Sequence, residues 1–194
     1  MHTLHSPKAV DVFLVAEQFR TAAAFAINIP VIAWSIPVPE LYDARGLYLP
    51  TAYMACKAFS LELYFKCLLR MGRKPIERGH DLEELFSRIG QRHQAKIRQF
   101  WNDNSDQVVS DLHNAYKDSG RPIPKIDFAF ALSISKDAFS IMRYVYEGVP
   151  PDKGWAGDTI VEGARNRILE IHPEWERLRQ IYPAPSISFQ PPHA

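Results

Sequence analysis

The residues with the most chemical potential lie between Ala55 and Phe86, in ACKAFSLELYFKCLLRMG and the GHDLEELF that follows. Glu62 sits in the middle of an apolar run made by Phe59, Leu61, Leu63, Tyr64, Phe65, Leu68 and Leu69. A carboxylate there must be paired or lie on a seam, because burying it alone costs several kcal/mol, order of magnitude. Lys66 is four residues on, the favourable order for a helical ion pair, which contributes roughly 0.3–0.5 kcal/mol when exposed. A basic residue elsewhere in the fold is the other candidate partner for Glu62. Arg70, Arg73, Lys74 and Arg78 then form the densest basic cluster in the chain. Two readings of that cluster stand. The cations complement the C-terminal dipole of a helix, or they form a patch that contacts phosphate. His80 precedes Asp81, at the start of a helix whose dipole opposes imidazole protonation.

These residues need elements to hold them, and the apolar spacing supplies helices almost everywhere. Ser6-Pro7 reads as a helix start, with Val10, Phe13, Leu14 and Glu17 stepping through a helical period to about Ala26. Positions 28–50 hold Pro30, Pro37, Pro39 and Pro50 among apolar residues, which predicts an extended insertion. A helix is expected from Thr51 to Met71, closed by Gly72. Asp81-Leu-Glu-Glu84 matches a capping box, with Leu82, Leu85, Phe86 and Ile89 as its buried stripe. Further helices are expected from Arg92 to Phe100 or Trp101, and from Asp106 to Tyr116. After a break at Arg121–Pro124, one long helix is expected over Asp127–Glu147. A turn region at Val149–Gly157 leads to a helix from Asp158 or Thr159 to Ile171. A last helix, with Pro173 at its first position, runs to Ile181. Residues 183–194 hold four prolines and no helical period, and are read as an extended or disordered tail. The expectation is an all-α, antiparallel bundle in one domain over 1–182.

Bulk composition narrows the function classes. There are 23 basic and 22 acidic side chains and a formal charge of +1, so any anion-binding site must be local. Cys56 and Cys67 fall on one expected helix, about 16 Å apart, too far for a mutual disulfide. Two thiols with no framework suit a reducing cytoplasm, and neither zinc spacing nor any cofactor motif is present. The N-terminus has no secretory pattern, and the apolar run Ala22–Trp34 is interrupted by Asn28 and Pro30, so no membrane association is expected. There is no internal repeat, glycine-rich phosphate loop, GxSxG or HExxH. The separated Trp34, Trp101, Trp155 and Trp175 fit packing better than base stacking.

The order of the pieces resembles the HEPN domain superfamily. The residues that carry the resemblance are Ser60-Leu-Glu62 with Lys66–Leu69, then Gly79-His80-Asp81-Leu82, then Arg143-Tyr144-Val-Tyr146-Glu147, covering roughly Met54–Glu147. The resemblance implies a small helical bundle, commonly a homodimer, that interacts with RNA or nucleotide in host defence or toxin–antitoxin systems. Many members are metal-independent ribonucleases, using an Arg, a polar residue, and a His after four to six intervening residues. His titrates near neutral pH and Arg grips phosphate with a planar fork, so the pairing is chemically sound. Arg165-Asn166…His172 has the polar second residue, and Arg73…His80, Arg88…His93 and Arg167…His172 also fall near the spacing. Fourteen arginines and seven histidines generate such pairs by chance. His172 precedes Pro173 and doubles as an N-cap of the last helix. At the place the family expects the motif, Arg143 has no His at the right distance.

The expectation is therefore a HEPN-like module that binds RNA, nucleotide or a protein partner without catalysis. The binding set is Glu62, Lys66, Arg73, Lys74, Arg78, His80, Arg143 and Tyr144. Glu62, His80 and Arg143, with Tyr144 or Glu147, are expected to meet as one polar cluster. Two alternatives remain: a metal-independent endoribonuclease in which Arg165 and His172, or Arg73 and His80, converge across a dimer, and a scaffold with no nucleic-acid role.

Overall fold

The computed structural model describes residues 7–28, 42–75, 79–118, 120–143 and 155–181. Among them there is no strand, and no helix is long and apolar enough to cross a membrane. The protein is an all-α bundle.

Helix α1 (Ala9–Asn28) opens where Asp11 reaches back to accept the Lys8 N–H at 2.9 Å. That satisfies one of the donors a helix start leaves unpaired. Helix α2 (Tyr42–Met71) is the axis of the fold. It starts nine residues before the expected Thr51 and passes through Pro50, so of the expected 28–50 insertion, residue 28 and residues 42–50 are helical. A proline inside a helix forgoes one N–H bond; the loss is local and the helix continues on both sides. Residues 29–41 lie outside the described residues, as does the tail beyond 181.

Helices α1 and α2 pair antiparallel. Cys67 bonds the Ala9 carbonyl at 3.3 Å, Phe13 packs on Tyr64, and Phe19 meets Phe59 edge-on with centroids 4.5 Å apart. Leu61, Tyr64, Phe65, Leu68 and Leu69 are buried, as their spacing predicts. Each such side chain contributes roughly 1.5–3 kcal/mol on leaving water. Cys67 is buried among them, which pushes its thiol up to about 12.

The end of α2 is a Schellman turn. Lys74 N–H bonds the Leu69 carbonyl at 2.9 Å and Arg73 N–H the Arg70 carbonyl at 2.9 Å. The left-handed residue is Arg73, with φ of 53°, and not the expected Gly72, which sits one position earlier.

Helix α3 (Leu82–Arg88) has Asp81 as its N-cap, accepting the Glu84 N–H at 3.0 Å, and Leu82, Leu85, Phe86 and Ile89 are buried as expected. Helix α4 (Gln91–Asn104) buries Ile97 and Trp101, and α5 (Asp106–Asp118) buries no residue fully. The expected helix over Asp127–Glu147 is instead two, α6 (Phe128–Ser135) and α7 (Ala138–Arg143). The break has a tertiary cause. The Lys136 carbonyl accepts the Leu82 N–H at 3.0 Å, and the Ser135 hydroxyl accepts the Ala156 N–H at 2.9 Å. The Lys136 carbonyl thus pairs with a neighbouring element instead of the next helical turn, while the Ser135 side chain anchors the segment before α8. Residues 144–154 lie outside the described residues.

Helix α8 (Asp158–Ile171) has the expected bounds, and α9 (Trp175–Ile181) follows a turn at Pro173-Glu174. Helix α8 runs parallel to α2, since Tyr53 bonds Asp158 and Lys57 bonds Glu162. It runs antiparallel to α1, since Glu17 meets Arg165 and Arg20 meets Glu162. Gly163 brings α8 against α4, because a Cβ there would stand 3.1 Å from the Phe100 ring. The described tryptophans pack internally: Trp101 on Phe128, Trp155 over Gly157, Trp175 on Phe13.

Candidate functional site

Two buried glutamates organise the polar chemistry of the bundle, one on each helix of the central pair. Glu62 on α2 is 1% exposed. Its Oε1 accepts from Lys66 Nζ at 2.6 Å, and its Oε2 lies 2.8 Å from His80 Nδ1. An ionised carboxylate only accepts, so Nδ1 carries the proton of that contact and Nε2 is the remaining ring nitrogen. The His80 side chain is 51% exposed and leans on Phe139 of α7, with centroids 5.4 Å apart. Phe139 stacks in turn on Phe59 at 4.6 Å. The α2 run, the GHDL turn and α7 therefore converge on one corner, where a buried anion aims an imidazole that reaches the surface.

The sequence-predicted residues divide around this corner. Glu62, Lys66 and His80 meet directly. Arg143 ends α7, but its side chain, Tyr144 and Glu147 lie outside the described residues, as does Arg78. Arg73 and Lys74 are exposed on the connector. Lys74 Nζ donates to the Arg88 carbonyl at the end of α3, and Arg70 Nε donates to the Pro7 carbonyl at 3.1 Å. Part of the basic cluster thus closes helix ends while keeping its charge.

Arg165 and His172 have other engagements. Arg165 is 9% exposed, with Nε on Glu17 Oε1 at 2.8 Å and Nη2 on Glu176 Oε1 at 3.3 Å. His172 lies just past the end of α8, where its N–H bonds the Ile168 carbonyl. Its Nδ1 is 2.9 Å from Glu174, and its ring stacks on Trp175 at 4.1 Å with 4° between planes.

The second glutamate, Glu17 on α1, was legible only as one step of a helical period. It is 4% exposed and accepts from the Tyr64 hydroxyl, Arg165 and, at 3.3 Å, Arg20. Burial alone would raise its carboxyl; the Tyr64 hydrogen bond and the Arg20 and Arg165 charges outweigh it and hold the carboxyl below the usual range. Arg20 also approaches Glu162 at 3.7 Å.

A third pair joins α4 to α8. Arg167 Nε donates to His93 Nδ1 at 2.9 Å, and Arg167 Nη1 to Glu170 at 2.6 Å. Burial, Arg167 and Arg92 all push His93 below the ordinary histidine range. No spacing motif could have found it, because the partners are 74 residues apart.

Among the described residues no group of three or more His, Cys, Asp or Glu side chains could hold a metal ion. Comparison with protein-family models, curated proteins and solved structures gave no match.

Proposed function

We propose that this chain is a HEPN-like helical module that binds RNA, as a homodimer in a defence or toxin–antitoxin setting, at the corner formed by Glu62, Lys66 and His80, without cleaving it. One observation carries the reading: a fully buried carboxylate holds a half-exposed imidazole by Nδ1, which leaves Nε2 to meet a ligand. The exposed Arg73 and Lys74 add positive charge from the connector that precedes His80. Arg forks and Lys point charges both suit phosphate oxygens. The non-catalytic form is supported by Arg165, whose guanidinium is held by Glu17 and Glu176.

The second reading is a metal-independent endoribonuclease, with Arg73 and His80, the second of the two expected pairs, at its site. It is favoured by the same Glu62–His80 contact, because a carboxylate on Nδ1 orients an imidazole for general-base work at Nε2. Fluorescence anisotropy with a labelled single-stranded RNA in EDTA, followed by a gel, separates the readings. The expected result is binding that weakens steeply with salt and RNA of unchanged length. Shortened RNA selects the nuclease. No binding at low salt sinks both and leaves a protein partner.

A further inference from the structure

Helix α4 presents a second basic surface, next to the connector. From Gly90 to Asn102 the chain holds Arg92, His93, Lys96 and Arg98 and no acidic residue. Arg92 and Lys96 are exposed and stand one turn apart. Among the described residues neither pairs with a carboxylate. His93 faces the other way, toward Arg167, and Arg98 lies over the Phe86 ring at 5.0 Å, so the outward charge on this stretch is that of Arg92 and Lys96.

The connector and the start of α4 both meet the end of α3. Lys74 Nζ donates to the Arg88 carbonyl, and Arg88 Nη2 donates back to the Pro75 carbonyl at 3.0 Å. Across the Ile89-Gly90 corner, Gln94 Nε2 bonds the Ser87 and Ile89 carbonyls, folding the first turn of α4 onto the end of α3. Lys74 and the first turn of α4, which carries Arg92, thus both adjoin the end of α3, with Arg92 and Lys96 on the side of α4 away from Gln94. Glu170, exposed on α8, is paired with Arg167.

We infer that the Arg92–Lys96 face of α4 contacts an RNA backbone, as a second set of phosphate contacts besides the connector; the inference rests on the RNA reading above. The exposed face of α4 from 91 to 99 is Gln91, Arg92, Ala95, Lys96, Arg98 and Gln99. It offers charge and amide groups without a large apolar side chain. The centre of a protein interface is depleted in charge and enriched in aromatic residues, whereas a phosphate backbone is contacted by Arg, Lys and Gln. A net charge near zero makes the strip a local feature, not a share of a global field.

The test measures RNA affinity against salt for wild type, for the double variant Arg92→Gln/Lys96→Gln, and for the control Lys117→Gln/Arg177→Gln. The control removes the same charge from exposed positions on α5 and α9. Loss of two phosphate contacts lowers the slope of log affinity against log salt by roughly 1.4 for a single strand, and the control keeps the wild-type slope. Equal slopes for wild type and the α4 variant overturn the strip while the RNA reading stands. An equal fall in the control variant overturns it too, since charge alone then explains the effect. Displacement of RNA by polyglutamate as readily as by unlabelled RNA, at equal charge, assigns the strip to an acidic protein and overturns it. A wild type that binds no RNA overturns the strip and the RNA reading together.

Discussion

Glu17 and Glu62 are both buried carboxylates on the central helix pair, yet their surroundings differ. Glu17 is enclosed by Tyr64, Arg165 and Arg20, each itself largely buried, and draws three helices onto one charge. Glu62 has one flexible ammonium and one imidazole that reaches the surface. Satisfying a buried anion from all sides makes a lock. Satisfying it through a group that also meets solvent makes a device whose outer end can meet a ligand. Burial of a glutamate in an apolar helix therefore says that a partner exists; only the exposure of that partner separates structure from function.

The largest expected effect tests the lock. Glu17→Ala leaves Arg165 and Arg20 without their shared carboxylate, and breaking a buried pair in this way costs about 3–5 kcal/mol. Glu62→Ala costs less, about 1–2 kcal/mol, because Lys66 and His80 can turn to water. Urea midpoints of the two variants measure the difference directly, and equal losses would erase the contrast.

Gly157→Ala should come next. A Cβ there would stand 2.4 Å from the Trp155 ring, and such overpacking costs about 1–3 kcal/mol. Trp155 Nε1 also bonds Asp158 at 3.2 Å, so displacement of the ring loosens the start of α8 as well. Thermal melts followed by tryptophan fluorescence report both.

Acid sharpens the comparison further. The depressed carboxyl of Glu17 contributes stability above the ordinary glutamate pKa, lost as pH falls through its folded value. His93 is depressed as well, so it acts higher on the pH scale. An arginine always donates, so the Arg167 contact requires a bare Nδ1. The unfolded chain binds a proton to His93 near pH 6.5 and the folded chain only below that, so stability falls as pH drops through this window. Gln can accept from Arg167 without titrating. His93→Gln should flatten the loss that sets in as pH drops below about 6.5, while Glu17→Gln flattens only the loss at lower pH. Denaturation midpoints across pH resolve the two.

The smallest effect lies at the connector. Arg73 holds a left-handed conformation that costs a non-glycine residue about 1–2 kcal/mol. Arg73→Gly should therefore raise stability by up to about 1 kcal/mol, measured by urea denaturation, while weakening RNA retention.

Local patterns were readable in the sequence where local rules dominate. The Asp81 cap, the Leu82–Ile89 stripe and the bounds of Asp158–Ile171 follow from side-chain type and period alone. The end of α6 was not readable, because Leu82 and Ala156 impose it from distant parts of the chain. Nor was the start of α2, where Pro50 is a local breaker that the flanking turns tolerate. At the site, the conflict of Glu62 with its apolar neighbours was visible and its partner Lys66 was at helical spacing. His80 was flagged by its position beside a cap, but its meeting with Glu62 needed the turn between α2 and α3. Glu17 stood on the Val10–Phe13–Leu14 face and carried the same signal as Glu62. Its partners Tyr64 and Arg165 lie 47 and 148 residues away, beyond the reach of spacing.

The central claim is that the Glu62 corner is the open, ligand-bearing end of the bundle. RNA anisotropy on His80→Ala, with the fold checked by circular dichroism, tests it most directly. Loss of a hydrogen bond to a charged phosphate, worth about 1.5–3 kcal/mol, predicts affinity lower by roughly 10- to 100-fold. Unchanged affinity in a folded His80→Ala protein would contradict the account and leave His80 a structural neighbour of Glu62.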